Sequence, residues 1–160
     1  RMVGLRRLVL GENRLRSLEP ISGLTNLEYL NLEDTGTSDI SALRGLVRLG
    51  ALNLRHNNIE DLDHLSGLIE LESLNLYDNN IVSVDPIRYL DRLVSLHLGD
   101  NNIVDISSLS GMTNLQYLEL SNNYIEDISA VAEMRYLWGL ELNNNNLTDL
   151  PTWLTVFAPG

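Results

Sequence analysis

One spacing constrains this chain more than any other property. Leu8, Leu30, Leu52, Leu74, Leu96, Leu118 and Leu140 stand 22 residues apart, and Leu10, Leu32, Leu54, Leu76, Leu98, Leu120 and Leu142 form a second column in the same register. Asn13, Thr35, Asn57, Asn79, Asn101, Asn123 and Asn145 form a third. Within one unit the apolar period changes. In "LEYLNLEDTGTSDISALRGL", Leu30 and Leu32 alternate as in a strand, whereas Ile40, Leu43 and Leu46 fall three apart. A unit this short cannot bury its own leucines, so the copies must stack side by side into a solenoid with one continuous core.

Each part of the unit then has a structural reading. In L-x-L the two leucines face inward from a short strand and the residues around them face outward. Successive strands pair as a parallel sheet. The asparagine column sits where the chain turns and backbone groups lose their ladder partners. A buried Asn has two N–H donors and an acceptor, enough to bridge successive coils. This reading makes Asn13, Asn57, Asn79, Asn101, Asn123 and Asn145 a structural ladder. Thr35 interrupts it with a shorter reach and should loosen the turn of the second coil. Downstream, Glu19, Ser41, Asp63, Asp85, Ser107 and Ser129 are mostly helix-capping types. Pro20 and Pro86 follow where a first helical turn tolerates proline. Gly23, Gly45, Gly67 and Gly111 fall where glycine closes helices. The outer arc should therefore carry short 3₁₀ turns. It is wider per coil than the strand spacing of about 4.8 Å, so the stack bends with the sheet inside. The expected class is α/β, as a horseshoe-shaped solenoid with a parallel sheet on the concave face and short helical turns on the convex face.

Composition narrows the function. The 160 residues are 44% hydrophobic but only 6% aromatic, with a single Phe, so the core is aliphatic. The formal net charge of −11 argues against nucleic acid, which requires a basic patch to neutralise phosphates. It disfavours an anionic membrane surface equally. There is no Cys, hence no disulfide and no thiolate metal site. No apolar run approaches the roughly 18 residues of a membrane span. The whole of 1–160 reads as a single domain of about seven 22-residue repeats. The chain opens at "RMVGL", with Met2 already in the column of Leu24 and Leu46, and so is expected to be part of a longer protein. At the other end Leu147 and Leu150 begin a last coil. Residues 151–160, "PTWLTVFAPG", are expected to form a partial cap through Trp153 and Phe157.

Function is sought on the outward positions of the sheet. Tyr29, Tyr77 and Tyr117 lie there, and exposed tyrosine is a good interface anchor. Glu12, Glu33, Asp34, Asp78, Asp100, Glu119 and Glu141 outnumber Arg7 and Arg55, which favours a partner protein with a basic surface. The candidate contact surface is Arg55, His56, Tyr77, Asp78, His97, Asp100, Tyr117 and Glu119, on four neighbouring strands. His56, Asp78 and Asp100 are adjacent in this reading, but sheet-face His and Asp commonly hydrogen-bond to each other, so no metal is assigned. Ser95 and His97 are about 6–7 Å apart by the strand rise, too far for an activated nucleophile. No catalytic residue and no cofactor is assigned, and the chain is read as a non-enzyme. Trp138 stands in the column of Arg6, Glu28, Gly50, Glu72, Val94 and Gln116. It is expected to fold against the C-terminal tail. The triplet Asn146-Leu147-Thr148 matches a glycosylation sequon, a weak signal by itself.

The full unit, L-x-x-L-x-L-x-x-N-x-I-x-x-I-x-x-L-x-x-L-x-x, resembles the leucine-rich repeat family over nearly the whole chain. The 22-residue length and the segments "SDISAL", "VDISSL" and "EDISAV" are most similar to bacterial internalins. The leucine-rich-repeat regulatory subunit of protein phosphatase 1 is next. The first resemblance implies a bacterial recognition domain in a cell-surface or secreted setting, whose partner is a surface or extracellular protein; the chain is expected to be a monomer that binds its partner on the concave face. The second implies an intracellular scaffold or the regulatory subunit of an enzyme such as a phosphatase.

Overall fold

The structure, a computed structural model, describes residues 2–155. Seven strands of three residues each form one open parallel sheet in sequence order: β1 Arg7–Val9, β2 Tyr29–Asn31, β3 Ala51–Asn53, β4 Ser73–Asn75, β5 Ser95–His97, β6 Tyr117–Glu119 and β7 Gly139–Glu141. Every pair is in the register of the repeat, for example Leu52 opposite Leu74 and Leu74 opposite Leu96. The return arcs carry 3₁₀ turns at Glu19–Ile21, Ser41–Leu43, Asp63–Leu65, Asp85–Ile87, Ser107–Gly111, Ser129–Val131 and Thr152–Thr155. Among the described residues there is no α-helix, and no helix is long and apolar enough to cross a membrane.

The leucine columns build the core. Leu30, Leu52, Leu74, Leu96 and Leu118 are fully buried, as are Leu32, Leu54, Leu76, Leu98 and Leu120. Each coil supplies one lid for the next. The same columns are only partly buried in the outer coils, at Leu8, Leu10, Leu140 and Leu142. Trp153 packs partly buried against the last coil, while Met2 and Leu150 are exposed. Phe157, expected to share the capping role of Trp153, lies outside the described residues.

The asparagines join coil to coil. Asn101 Nδ2 donates to Leu76 O in the preceding coil (3.0 Å) and to Leu98 O (3.0 Å) and Gly99 O (3.1 Å) in its own, and its Oδ1 accepts from Ile81 N–H at 2.9 Å. Asn57, Asn79, Asn123 and Asn145 repeat the arrangement, reaching back to Leu32 O, Leu54 O, Leu98 O and Leu120 O. Asn13 departs from the ladder reading. It is exposed and, among the described residues, bonds only within its own coil, to Leu10 O and Gly11 O. The Thr35 hydroxyl reaches Leu32 O and Asn57 Oδ1, both at 3.0 Å, and among the described residues makes no bond back to the first coil. In that coil Gly36 takes a positive φ of 71°, the single glycine to do so among the described residues.

Two expectations about the arcs change. The residues that cap the turns lie two positions earlier than the predicted column. Ser17, Asp39, Asp61, Ser83, Asp105 and Asp127 accept the backbone N–H of Glu19, Ser41, Asp63, Asp85, Ser107 and Ser129 at 2.7–3.3 Å. These are Asx- and ST-type turns, in which a short polar side chain binds the N–H two residues on. Hydrogen bonds with Ser41 and Ser107 hold the Asp39 and Asp105 carboxyls below the usual carboxylate range. Gly23, Gly45, Gly67 and Gly111 close the turns without entering the left-handed region.

Candidate functional site: the concave sheet face

The concave face is organised by a second set of side-chain-to-backbone bonds. Asn31, Asn53 and Asn75 each accept, through Oδ1, the N–H two residues ahead: Glu33, Arg55 and Tyr77, at 2.8, 3.0 and 3.0 Å. Just beyond each strand the chain bends through a left-handed residue. Glu12, Asp34, His56, Asp78, Asp100, Asn122 and Asn144 all have φ between 49° and 61°. Asp, Asn and His are the non-glycine residues that best tolerate this region. The polar character of this column therefore has a backbone cause, whatever else it does.

The predicted contact residues divide into linked groups. His56 Nδ1 lies 2.6 Å from Asp78 Oδ2, and the His56 ring meets Tyr77 edge-on at 5.9 Å. The Arg55 guanidinium stands 5.0 Å from the centre of the same Tyr77 ring. The Tyr77 hydroxyl is hydrogen-bonded to Asp100, which pushes its pKa up to about 12. His56, Asp78 and Asp100 therefore do not converge. Among the described residues no group of three or more His, Cys, Asp or Glu side chains could hold a metal ion.

A second group starts at His97. Its ring lies 5.0 Å from Tyr117, and burial holds its pKa below the usual histidine value despite the nearby carboxylates of Glu119 and Glu141. The side chains of Ser95 and His97 are closer than the strand rise suggests: Ser95 Oγ and His97 Nε2 are 3.1 Å apart. The pair is closer than the roughly 6–7 Å expected from the strand rise because both side chains lean toward each other along one face. No carboxylate is bonded to the other imidazole nitrogen to orient it among the described residues, so the pair lacks the third member of an activated-nucleophile arrangement.

Glu119 differs most from its expected place. It sits at an outward position of β6 but is only 5% exposed. Its carboxylate accepts the N–H of Gly99 at 2.9 Å, the N–H of Ser121 at 3.0 Å and the Ser121 hydroxyl. It fastens β5 to β6 beneath the surface.

Trp138, expected against the C-terminal tail, is instead 75% exposed and pairs with Tyr117 at 5.3 Å. Gly139 makes this possible. A Cβ there would collide with the Tyr117 ring, so the absence of a side chain lets Tyr117 lie across β7. From there its hydroxyl donates to Glu141, which raises the Tyr117 pKa to about 12. His97, Tyr117 and Trp138 thus form a continuous aromatic row. The sequence signal was a glycine in a strand position directly beside a tyrosine. At the other end of the sheet, the Arg7 guanidinium lies over the Tyr29 ring, 3.7 Å from its centre.

Comparison with known proteins places these features in context. Leucine-rich repeats, as a two-copy family pattern, match residues 3–45, 51–89 and 91–133. Among solved structures, internalin InlF of Listeria monocytogenes is similar at 34% identity and a TM-score of 0.90, over 92% of this chain and 44% of that one. Internalin C2 of the same organism is similar at 30% identity and a TM-score of 0.94, over 98% and 69%. A leucine-rich-repeat protein of Leptospira interrogans is similar at 32% identity and a TM-score of 0.89, over 95% and 40%. The chain thus spans less than half the length of two of these three. No curated protein matches it by sequence.

Proposed function

The chain belongs to the leucine-rich repeat family and is internalin-like in its repeats, and from that premise we propose that it recognises a partner protein on its concave face, over β3 to β7. Proteins of this family are generally protein-binding modules. The observation that carries the proposal is the aromatic row His97–Tyr117–Trp138, which continues the polar-aromatic group Arg55–His56–Tyr77 across neighbouring strands. Aromatic rings bury a large area with few rotors to immobilise, and they dominate binding energetics where they cluster. The hydroxyls of Tyr77 and Tyr117 are already held by Asp100 and Glu141, so these rings are oriented before a partner arrives. Preorganisation of this kind lowers the entropic cost of association.

The partner surface is basic. Asp78, Asp100 and Glu141 line the face within a chain of net charge −11, and a positive partner is steered toward it. The internalin-like repeats favour a bacterial surface or secreted recognition domain. Glu119, being buried, supports the face without presenting its carboxylate. Site-specific photocrosslinking tests the location. A photoreactive side chain at Tyr77 or Trp138 should capture the partner, and one at Arg44 or Arg88 on the convex side should not. Capture from the convex positions alone would place the interface elsewhere.

A further inference from the structure

The chain has no lysine, so its fixed positive charges are all arginines, and five of the ten described ones hold polar side-chain partners. Arg6, Arg92 and Arg135 pair with glutamates, while Arg44 and Arg48 bond to His64 and Asn26. Arg55 is different. It is the one arginine on the sheet face between β2 and β7, and no carboxylate lies within ion-pair distance of it among the described residues. Its Nε is buried without an acceptor. The surrounding acids are committed elsewhere: Asp78 to His56, Asp100 to Tyr77, Glu119 to Gly99 and Ser121, and Glu141 to Tyr117. Asn75 lines the same hollow. Its amide oxygen is occupied by Tyr77 N–H, and its amide nitrogen has no acceptor among the described residues.

We infer that Arg55 and the Asn75 amide nitrogen seat one Asp or Glu carboxylate of the partner, so that the protein recognises a mainly basic segment carrying a single acid opposite Arg55. This rests on the concave face being the binding surface. A guanidinium takes a carboxylate in two parallel hydrogen bonds, which no other group on this face between β2 and β7 can offer. The same acid placed one or two coils further along would meet Asp78 or Asp100 and be repelled. One arginine within the acidic stretch between β2 and β7 therefore sets the register of the partner: attraction at one position is backed by repulsion at its neighbours.

The test is selection of a displayed, randomised linear-peptide library on the wild-type protein, followed by affinity measurements with the enriched peptides. The expected winners are basic peptides with one acid. Changing that acid to its amide should weaken binding to the wild type about tenfold, the effect of losing a charge-assisted hydrogen bond. The same change should leave binding to Arg55→Gln nearly unaltered, and selection on Arg55→Glu should replace the acid with Arg or Lys. Trp138→Ala should weaken every peptide on both backgrounds. If acid-free peptides win, or if the amide change costs the same on wild type and Arg55→Gln, the carboxylate seat is wrong, while continued sensitivity to Trp138→Ala would leave the concave-face reading standing. Binding that ignores both Arg55 and Trp138 would remove both, and so would a library from which nothing is enriched. Because the amide change is made in the peptide, the wild-type measurement does not depend on the variants folding.

Discussion

The backbone N–H of Gly99 donates to the carboxylate of Glu119 at 2.9 Å, and a side chain at Gly99 would collide with that carboxylate. The two residues are 20 apart and sit on adjoining coils. Just beyond β3 and β4 the equivalent N–H groups, on Arg55 and Tyr77, are satisfied by Asn53 and Asn75 of the strands they follow. In β5 that position is His97, whose ring turns toward Ser95 and Tyr117 instead. Glu119 crosses from β6 to bond the N–H that His97 leaves free, and Gly99 supplies the space it needs.

Glu119→Ala should therefore destabilise the fold by about 1–3 kcal/mol, since it leaves two buried N–H donors unpaired. Gly99→Ala should cost about as much through overpacking. Gly67→Ala is the control: a Cβ there meets nothing within 4 Å. Chemical denaturation reads all three. A Gly99→Ala variant as stable as Gly67→Ala would refute the coupling.

The contrast between the leucines and Glu119 shows what sequence alone can carry. The leucine columns are legible because packing repeats the same demand in every coil, and the parallel sheet, its order and the 3₁₀ arcs follow from them. Glu119 is not legible, because strand alternation places it outward and only the glycine on the neighbouring coil lets it turn inward. Trp138 is missed for a related reason: its link to Tyr117 passes over Gly139, a contact between coils. The caps are displaced by two residues because Ser and Asp occupy both columns, and residue type does not distinguish an N-cap from an Asx turn. The column running from Asp34 to Asn144 was visible as polar, but its left-handed φ supplies a cause other than binding.

Asn101→Ala should destabilise by about 1–3 kcal/mol, because it strands Leu76 O, Leu98 O and the Ile81 N–H in the interior. Asn13→Ala should cost much less, since Asn13 is exposed and bridges no coil. Equal losses for the two, by urea titration, would contradict a ladder built on coil-to-coil bonds.

Glu12 occupies the left-handed column at φ 61°, where Glu is poorly suited. Glu12→Gly should raise stability by up to about 1 kcal/mol by relieving that strain. In the same column, Asn122→Val should lower stability by a similar amount or more, since a β-branched residue is worse there. Thermal melts of the two variants check the pair. A stabilising Asn122→Val would overturn the conformational reading of the column.

Stability should depend on pH through His97 and the two held tyrosines. The folded-state pKa of His97 lies below its usual 6.5, so its contribution is complete above that value and is lost as pH falls through the folded value. The wild type should therefore lose more stability than His97→Asn between pH 7.5 and 5. At the alkaline end the signs reverse. Tyr77 and Tyr117 keep their protons to about pH 12, so their contribution is present below pH 10 and lost as pH rises toward 12. Phenolate absorbance should show these two of the six tyrosines ionising late. Six tyrosines titrating together near pH 10, in the folded protein, would contradict the Tyr77–Asp100 and Tyr117–Glu141 bonds.

The central claim is that binding energy is concentrated on the concave aromatic surface. The most direct measurement is the dissociation constant of the crosslinked partner, once purified, for the wild type and for Tyr77→Ala, Tyr117→Ala and Trp138→Ala, with the convex Arg44→Ala and Arg88→Ala as references. The concave substitutions should each cost about 2 kcal/mol of binding or more where they remove a hot spot. Fold stability should change little at Trp138, which is mostly exposed. The convex references should bind as the wild type does. Undiminished affinity in all three aromatic variants, together with loss in either convex one, would contradict the account.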